Sequence, residues 1–309
     1  MREVNGQLFI ENIPAINLAR EYGSPCFIYS ANEIQNNFLK YKDEIRNEDV
    51  ICYAVKANSN LHILRLLAEL GSGFDVVSGN ELERCLIAGA DKNKIVFSGV
   101  SKSYEEIEKA IKSEILSINV ESLGEFERVA EISKRLNKTV NCALRVNPDI
   151  TIGSHKYIET GSKTSKFGLD VESIDKISKL SKEYKLINIV AVACHIGSQI
   201  SNESLILKSL ECIKDVASKL EQDGHKIEFL DIGGGLGISY KDEDAGDPKI
   251  LLTKVKGILE DTDYKIILEP GRSIVGTSGI LVTKIEYIKD AGDKRFAIID
   301  AGMNDLIRP

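Results

Sequence analysis

The sequence predicts an α/β fold, a (β/α)8 TIM barrel followed by a partial antiparallel β domain. Eight short runs rich in Val, Ile and Ala recur between residues 50 and 268, and most precede a stretch of helical periodicity. The runs are largely apolar without regular alternation, which indicates strands buried on both faces, as in a parallel sheet. Eight such units over roughly 220 residues match a barrel in number and size. An open, doubly wound sheet is the alternative fold.

The strand–helix units can be assigned in chain order. The predicted strands are residues 50–55, 74–77, 95–97, 116–120, 140–146, 189–196, 227–232 and 265–268. The predicted helices are residues 61–70, 81–88, 104–112, 123–136, 171–183, 203–222 and 250–259. A long loop separates the fifth strand from its helix, and the helix after the eighth strand is the least clear.

After Pro270 the pattern changes from strand–helix alternation to strands alone. Residues 280–288 and 295–299 read as two strands joined by a turn at 290–293, and residues 7–10 are a candidate strand of the same β element. We therefore expect three parts. They are an N-terminal segment of the β domain at 1–26, the barrel at 27–275, and the start of an incomplete C-terminal β domain at 276–309.

Composition limits the kinds of ligand the protein can bind and indicates its cellular compartment. The net charge is −7 and no basic run is present, which argues against nucleic acid and favours a small-molecule ligand. The six cysteines are scattered and none forms a CxxC pair, so we expect neither disulfides nor a metal site. The N-terminus shows no signal pattern, and no apolar run approaches a membrane span, so we expect a cytoplasmic protein and no membrane partner.

Polar residues cluster where a barrel places its chemistry, at the C-terminal ends of the strands. Six of the predicted strands end in or near unusual residues of this kind, and packing alone does not account for that convergence. These residues are Lys56, Asp75, Arg145, His195, the run Gly233, Gly234 and Gly235, and Glu269 with Pro270, Gly271 and Arg272.

Lys56 and the glycine run carry the clearest chemical signals. A lysine that closes a buried strand can be desolvated, which lowers its pKa and frees the amine for Schiff-base formation. The alternative is a lysine whose amine reaches out to solvent. Three adjacent glycines after strand seven let backbone N–H groups cradle a phosphate, and the alternative is a tight strand-to-loop turn.

The other strand-end residues each admit a plain structural interpretation. Arg272 suits a phosphate or a carboxylate, or forms a turn-capping pair with Glu269. His195 suits packing against a flat ring, with Ser198 hydrogen-bonding a phosphate, or is a core histidine. For Asp75 and Arg145 the alternative is a buried ion pair or a strand-end cap.

Taken together, these segments resemble the fold-type III pyridoxal-phosphate decarboxylases, whose barrels are alanine-racemase-like. The matching segments occur in the expected order along nearly the whole chain: residues 53–58, 74–82, 145–148, 195–199, 231–237 and 269–272. Residues 155–161, 165–168 and 300–309 are more similar to the branch that acts on diaminopimelate than to the ornithine and arginine branches.

The resemblance implies a pyridoxal 5'-phosphate cofactor and a role for each residue. Lys56 bears the cofactor, His195 stacks on its ring and Glu269 pairs with the pyridinium, where a carboxylate strengthens the ring as an electron sink. The phosphate is held by Ser198, Gly235 and the Gly271-Arg272 region, and Gly233, Gly234 and Pro270 belong to the same cofactor site. Arg272 and Arg308 bind substrate carboxylates. Asp75 and Arg145 support the residues that contact the cofactor.

The implied reaction is decarboxylation of meso-2,6-diaminopimelate to L-lysine and CO2 by a homodimer. Another basic amino-acid decarboxylase, acting on ornithine, arginine or carboxynorspermidine, and a non-catalytic pyridoxal-phosphate-binding protein are the alternatives. The family pattern continues beyond Pro309 with a Cys-Glu-Ser-type motif and a late tyrosine at a shared dimer site. Full activity of the 309-residue chain is therefore not expected from the sequence.

Overall fold

A computed structural model of the chain describes residues 1–148, 166–241 and 245–307. The chain divides into two compact units, one formed by Met1–Asn36 with Val275–Pro309 and the other by Asn37–Ile274. The domain boundaries expected at residues 26 and 275 stay predictions.

The N-terminal part of the first unit is built from short strands and two helices. Its elements are β1 (Arg2–Val4), β2 (Gln7–Ile10), β3 (Ile13–Pro14), α1 (Ala15–Tyr22), β4 (Cys26–Tyr29) and the start of α2 (Ala31–Lys42). The strand predicted at residues 7–10 is present as β2. Its partners are β1 and β3, in a three-stranded antiparallel sheet, rather than the strands that follow Pro270.

The second unit contains a closed barrel, which confirms the predicted fold class. Within the described residues, eight parallel strands pair in chain order, and the last pairs with the first through Ile267 and Val50. They are β5 (Val50–Ala54), β6 (Gly73–Val76), β7 (Ile95–Phe97), β8 (Ser117–Val120), β9 (Val140–Arg145), β10 (Ile187–Ala193), β11 (Phe229–Asp231) and β12 (Lys265–Leu268).

Helices follow the strands as predicted, with ends displaced by up to two residues. They are α3 (Leu61–Glu69), α4 (Gly79–Ile87), α5 (Tyr104–Ser113), α6 (Leu123–Leu136), α7 (Val171–Ser181), α8 (Glu203–Gln222) and α9 (Pro248–Ile258). Capping explains the displacement of α4, because the Ser78 side chain accepts a hydrogen bond from the Glu81 N–H and so starts the helix two residues early. One 3₁₀ turn, Val55–Ala57, follows β5, and another, Lys92–Lys94, directly precedes β7.

Small and medium apolar side chains fill the barrel interior. Cys52, Ala143, Ala191 and Ala193 pack there with the larger side chains of Val96, Phe229 and Ile267. All six cysteines lie in described parts of the chain, and none is in a disulfide. None of the helices described is both long enough and apolar enough to span a bilayer.

The described chain ends in strands, as predicted, but the strand predicted at residues 280–288 is divided into two separate strands. The short helix α10 (Arg272–Val275) precedes β13 (Gly279–Val282), which pairs with β4, and then β14 (Ile285–Ala291) and β15 (Lys294–Ile299) form a hairpin. The single strand predicted at residues 280–288 is therefore wrong. The two strands are separate because they pair with different partners, β13 with β4 and β14 with β15. No Gly or Pro marks the break between them, so the sequence contains no local signal for it.

Candidate active site

The C-terminal ends of the barrel strands bring the predicted site residues to one end of the barrel. Lys56 lies in the 3₁₀ turn directly after β5, Asp75 lies on β6, and Arg145 is the last residue of β9. His195 and Glu269 follow β10 and β12 by two residues and one residue. Because parallel strands all end on the same side of a barrel, these groups face a common region.

Lys56 is paired with a buried carboxylate. Its Nζ donates to Asp75 Oδ2 at 2.5 Å, and the Asp75 side chain is fully buried. Burial lowers the pKa of Lys56, but the nearby carboxylates of Asp75 and Glu269 outweigh it, and the pKa is raised. The prediction that burial frees this amine by lowering its pKa is therefore wrong for the protein alone: Lys56 is an ammonium at neutral pH.

Glu269 is a buried carboxyl with an unused oxygen. Its Oε1 accepts no hydrogen bond from any of the residues that the structure describes. Burial and the negative charges of Asp231 and Asp75 raise the pKa of Glu269 well above its ordinary value. A buried acceptor without a donor costs free energy, so this oxygen marks a place where a hydrogen-bond donor is missing.

Asp231 is a buried carboxyl of this barrel end to which the sequence interpretation gave no role. It ends β11 inside the barrel, and its Oδ1 accepts the Gly233 N–H at 2.9 Å, while the carbonyl of the same glycine accepts the Glu269 N–H at 2.7 Å. Asn119 on β8 donates a long hydrogen bond of 3.5 Å to Asp231 Oδ2 and another of 3.0 Å to the Ser98 hydroxyl. The signal that could have found this network is a polar residue within each of two apolar strands.

Asp231 makes the stability of the protein without cofactor depend on pH. Burial raises the pKa of its carboxyl from 3.8 to about 6. Between these values the folded protein holds a proton that the unfolded chain has released, so the free energy of unfolding falls as pH rises. We expect the free energy of unfolding of Asp231→Asn to decrease by roughly 2–3 kcal/mol less than that of the wild type over this pH range. Denaturant unfolding of both proteins from about pH 4 to pH 7 measures it, and equal slopes would contradict the assignment.

Arg145 pairs with a carboxylate from the neighbouring strand rather than with Asp75. Its Nη1 donates to Glu121 Oε1 at 2.8 Å, with both side chains buried, and its guanidinium lies 4.8 Å from the centre of the Phe167 ring. Glu121 also accepts the N–H groups of Gly99 and Gly168. Sequence reasoning did not single out Glu121; the structure makes it the residue that holds Arg145 in place.

His195 is held as a neutral imidazole of known tautomer. Its Nδ1 accepts the Gly234 N–H at 3.2 Å, so a neutral ring carries its proton on Nε2. Burial and the positive charges of Lys56 and Arg145 lower the pKa of His195 well below its ordinary value. Ser198 is partly buried three residues later in the same loop.

The loops after β10 and β11 are joined by backbone hydrogen bonds. Ile200 N–H donates to Gly235 O at 2.8 Å, and Gly237 N–H donates to Ile200 O at 3.0 Å. The Gln199 side-chain amide donates to the Ile238 carbonyl and accepts its N–H. These contacts place the glycine run beside Ser198, as a shared phosphate site requires.

The glycine run is closely packed against neighbouring backbone. A Cβ at Gly234 would lie 2.0 Å from Glu269 O, and one at Gly235, where φ is +100°, would lie 2.3 Å from Gly197 O. The tight-turn interpretation accounts for these contacts by itself, so phosphate binding by this run stays a prediction.

Alanine substitution tests whether a glycine is closely packed, because an added Cβ destabilises the protein only where neighbouring atoms leave it no room. Gly234→Ala would push apart the ends of β11 and β12, and we expect it to cost about 2–3 kcal/mol of unfolding free energy. Gly257→Ala, on the exposed face of α9 with no atom within 4 Å of its Cβ position, is the matched control and should gain about 0.5–1 kcal/mol. Thermal unfolding compares them; equal stability of the two variants would contradict the packing described.

The segment after β12 packs on the turn that carries Lys56. Pro270 O accepts the Ala54 N–H at 3.0 Å, and a Cβ at Gly271 would lie 3.1 Å from the Cβ atoms of Ala54 and Ala57. Arg272 Nη1 donates to the Tyr240 hydroxyl at 3.0 Å. Arg308 and residues 155–161 and 165 lie outside the described residues, so their predicted roles are not placed.

Comparison with known proteins agrees with this geometry. A family model described as "Pyridoxal-dependent decarboxylase, pyridoxal binding domain" matches residues 31–276. The diaminopimelate decarboxylase of Aquifex aeolicus is 46% identical over 306 residues, covering 99% of this chain and 73% of that protein. That of Neisseria meningitidis serogroup A is 41% identical over 303 residues, covering 98% of this chain and 75% of that protein.

Solved structures show the same relationship. Diaminopimelate decarboxylase from Helicobacter pylori, complexed with L-lysine, superposes with a TM-score of 0.91 at 40% identity and covers 94% of this chain and 74% of that one. The Methanocaldococcus jannaschii enzyme gives a TM-score of 0.93 at 38% identity, covering 100% and 74%. The chain thus spans 73–75% of the length of these relatives. The chain belongs to the diaminopimelate decarboxylase family of pyridoxal-dependent decarboxylases.

Proposed function

We propose that this chain binds pyridoxal 5'-phosphate on Lys56 and decarboxylates meso-2,6-diaminopimelate to L-lysine and CO2. One observation carries the proposal most directly. The Lys56–Asp75 pair and the buried carboxyl of Glu269, with its unused Oε1, lie at the same end of a barrel whose family is pyridoxal-dependent. Relatives at 41–46% identity over nearly the whole chain are diaminopimelate decarboxylases.

The residues present fit the cofactor. The missing donor at Glu269 Oε1 matches the N–H of a pyridinium, which would satisfy the one buried carboxyl oxygen of this residue that lacks a partner among the described residues. Lys56 supplies the amine for covalent attachment, and Ser198, Gly235 and Arg272 supply phosphate ligands. When bound, the cofactor supplies an electron sink for the electrons that the departing carboxylate leaves behind.

The chain's own residues prepare and hold that chemistry. Attachment requires Lys56 as a free amine, so its ammonium must lose a proton, and Asp75 Oδ2 is an acceptor 2.5 Å away. The neutral, tautomerically fixed His195 presents an uncharged flat face to pack on a ring. Arg145, held by Glu121, places a fixed positive charge behind the site.

Substrate selection is proposed to rest on carboxylate-binding arginines. Arg272 presents a guanidinium at the strand-end face, where it donates to the exposed Tyr240, and Arg308 is proposed as its counterpart for the far end of a dicarboxylic substrate. The Helicobacter pylori relative is described as complexed with L-lysine, the product expected here.

A substrate panel tests the proposal. The 309-residue chain, loaded with pyridoxal phosphate, is incubated with meso-diaminopimelate, lysine, ornithine, arginine and carboxynorspermidine, and released CO2 and amine products are measured. Turnover of diaminopimelate at a kcat/KM at least about tenfold above the others supports the proposal. Preference for another amino acid, or covalent loading without turnover of any, would replace it by one of the two alternatives.

The assembly and compartment are further parts of the proposal. We propose a homodimer, as the family resemblance implies, and a cytoplasmic location, which six cysteines outside any disulfide support. The net charge of −7 supports a small molecule rather than nucleic acid as ligand. Analytical ultracentrifugation of the loaded chain measures the assembly directly.

A further inference from the structure

Two buried acids, Asp231 and Glu269, are joined through the backbone of Gly233 inside the barrel: the Gly233 N–H donates to Asp231 Oδ1 at 2.9 Å, and the Glu269 N–H donates to Gly233 O at 2.7 Å. They are 1% and 6% exposed, each is buried where a lone carboxylate is costly, and the charge of Asp231 raises the pKa of Glu269. Two adjacent buried carboxyls cannot both ionise readily, so one proton stays with the pair. The role proposed for Glu269 requires a carboxyl at the ring nitrogen but assigns nothing to Asp231.

The hydrogen-bond donors around the pair decide which carboxyl keeps the proton. Asp231 accepts the Gly233 N–H at 2.9 Å and, at 3.5 Å, the Asn119 amide, and both donors favour its ionised form. Glu269 Oε1 has no such donor among the described residues. The other charges that act on Glu269 come from three elements, Asp75 on β6, Lys56 after β5 and Arg145 on β9, and Asp75 also acts on Asp231.

We infer that Asp231 is a positioning residue that makes Glu269 the site of a stored proton, which Glu269 gives to the ring nitrogen when the cofactor binds. In this transfer the Glu269 O–H bond breaks, the N–H bond forms, and Oε1 accepts the resulting hydrogen bond. The direction of the pKa of both carboxyls, raised by burial, agrees with a retained proton. The inference rests on the proposed function only in naming the recipient of the proton.

The first test measures the proton on Glu269 in the protein without cofactor. Carbon-13 labelling of glutamate carboxyls and an NMR titration from about pH 4 to pH 9 give its midpoint, with Glu269→Gln assigning the resonance. We expect Glu269 to be protonated at neutral pH and its midpoint to fall by at least about one unit, a tenfold change, in Asp231→Asn. A wild-type midpoint below about pH 5, or one that Asp231→Asn leaves in place, would overturn the inference.

A structural control distinguishes a specific effect from general loosening of β12. Asp49 is also buried, and its Oδ1 accepts the Ile266 N–H at 2.8 Å near the other end of the same strand. Asp49→Asn should leave the Glu269 midpoint unchanged, and an equal shift in that variant would contradict a role specific to Asp231. The wild-type titration requires no variant at Asp231, so a wild-type midpoint below about pH 5 would overturn the inference even if Asp231→Asn does not fold.

The second test follows the proton during cofactor binding. Calorimetric titration with pyridoxal phosphate in buffers of different ionisation enthalpy counts the protons exchanged with solvent. At a pH midway between the two Glu269 midpoints, Asp231→Asn should take up more protons than the wild type, by up to one per site. Equal uptake would overturn the inference, whereas failure of covalent attachment at Lys56 would instead overturn the proposed function.

Discussion

Replacing Lys56 with alanine is expected to abolish covalent attachment of pyridoxal phosphate and to lower decarboxylation by roughly 10³-fold or more. The reason is that the amine is both the point of attachment and a proton-exchanging partner of Asp75. The variant also leaves Asp75 buried without its cation, and because the Lys56 side chain is 45% exposed we expect a modest loss of about 1–2 kcal/mol of stability.

The measurement is a visible absorbance titration with pyridoxal phosphate followed by a CO2-release assay. Lys94→Ala is the matched control, because Lys94 precedes β7 at the opposite end of the barrel, where its Nζ donates to Gly71 O. The control should keep both the absorbance band and the turnover. A Lys56→Ala protein that still turns over diaminopimelate would exclude Lys56 as the attachment residue.

Glu269→Gln is expected to change activity and stability in opposite directions. A neutral amide cannot balance a pyridinium, so kcat should fall by roughly 10²–10³-fold. The same change removes a buried acid whose pKa burial and the charges of Asp231 and Asp75 raise. Without cofactor at about pH 7 and above, the variant should therefore be more stable, by about 1–3 kcal/mol.

A second buried glutamate gives the opposite stability result and serves as the comparison. Glu125 is paired with the buried Lys102 at 2.6 Å, so Glu125→Gln breaks an ion pair and should lower the free energy of unfolding. Denaturant unfolding of both variants at two pH values checks the signs. A Glu269→Gln protein that is less stable than wild type above pH 7 would contradict the unfavourable surroundings described for this carboxyl.

The barrel could be predicted because its strands carry a strong local signal. Largely apolar runs identified all eight strands, and β7 and β12 have the predicted bounds. Helix starts were displaced where a capping side chain, such as Ser78, decides the first turn. The break between β13 and β14 could not be predicted, since it reflects pairing with two different strands rather than a local breaker.

The sequence predicted which residues form the site, but not which of them form ion pairs with one another. Strand-end position identified Lys56, Arg145 and Glu269, because every strand of a barrel ends on the same side. Which carboxylate neutralises which cation depends on neighbours in the sheet. Asp75 is 19 residues from Lys56, and Glu121 is 24 residues from Arg145. For the same reason the predicted direction of the Lys56 pKa was wrong, since the sequence pattern showed the buried strand that precedes Lys56 but not the carboxylates that lie near its amine.

Borohydride reduction of the pyridoxal-phosphate-loaded chain, followed by peptide mapping, tests the central claim most directly. The account predicts one reduced adduct, located on Lys56. An adduct on any other lysine, or none on folded protein that has been incubated with the cofactor, would contradict the assignment of this barrel end as the cofactor site.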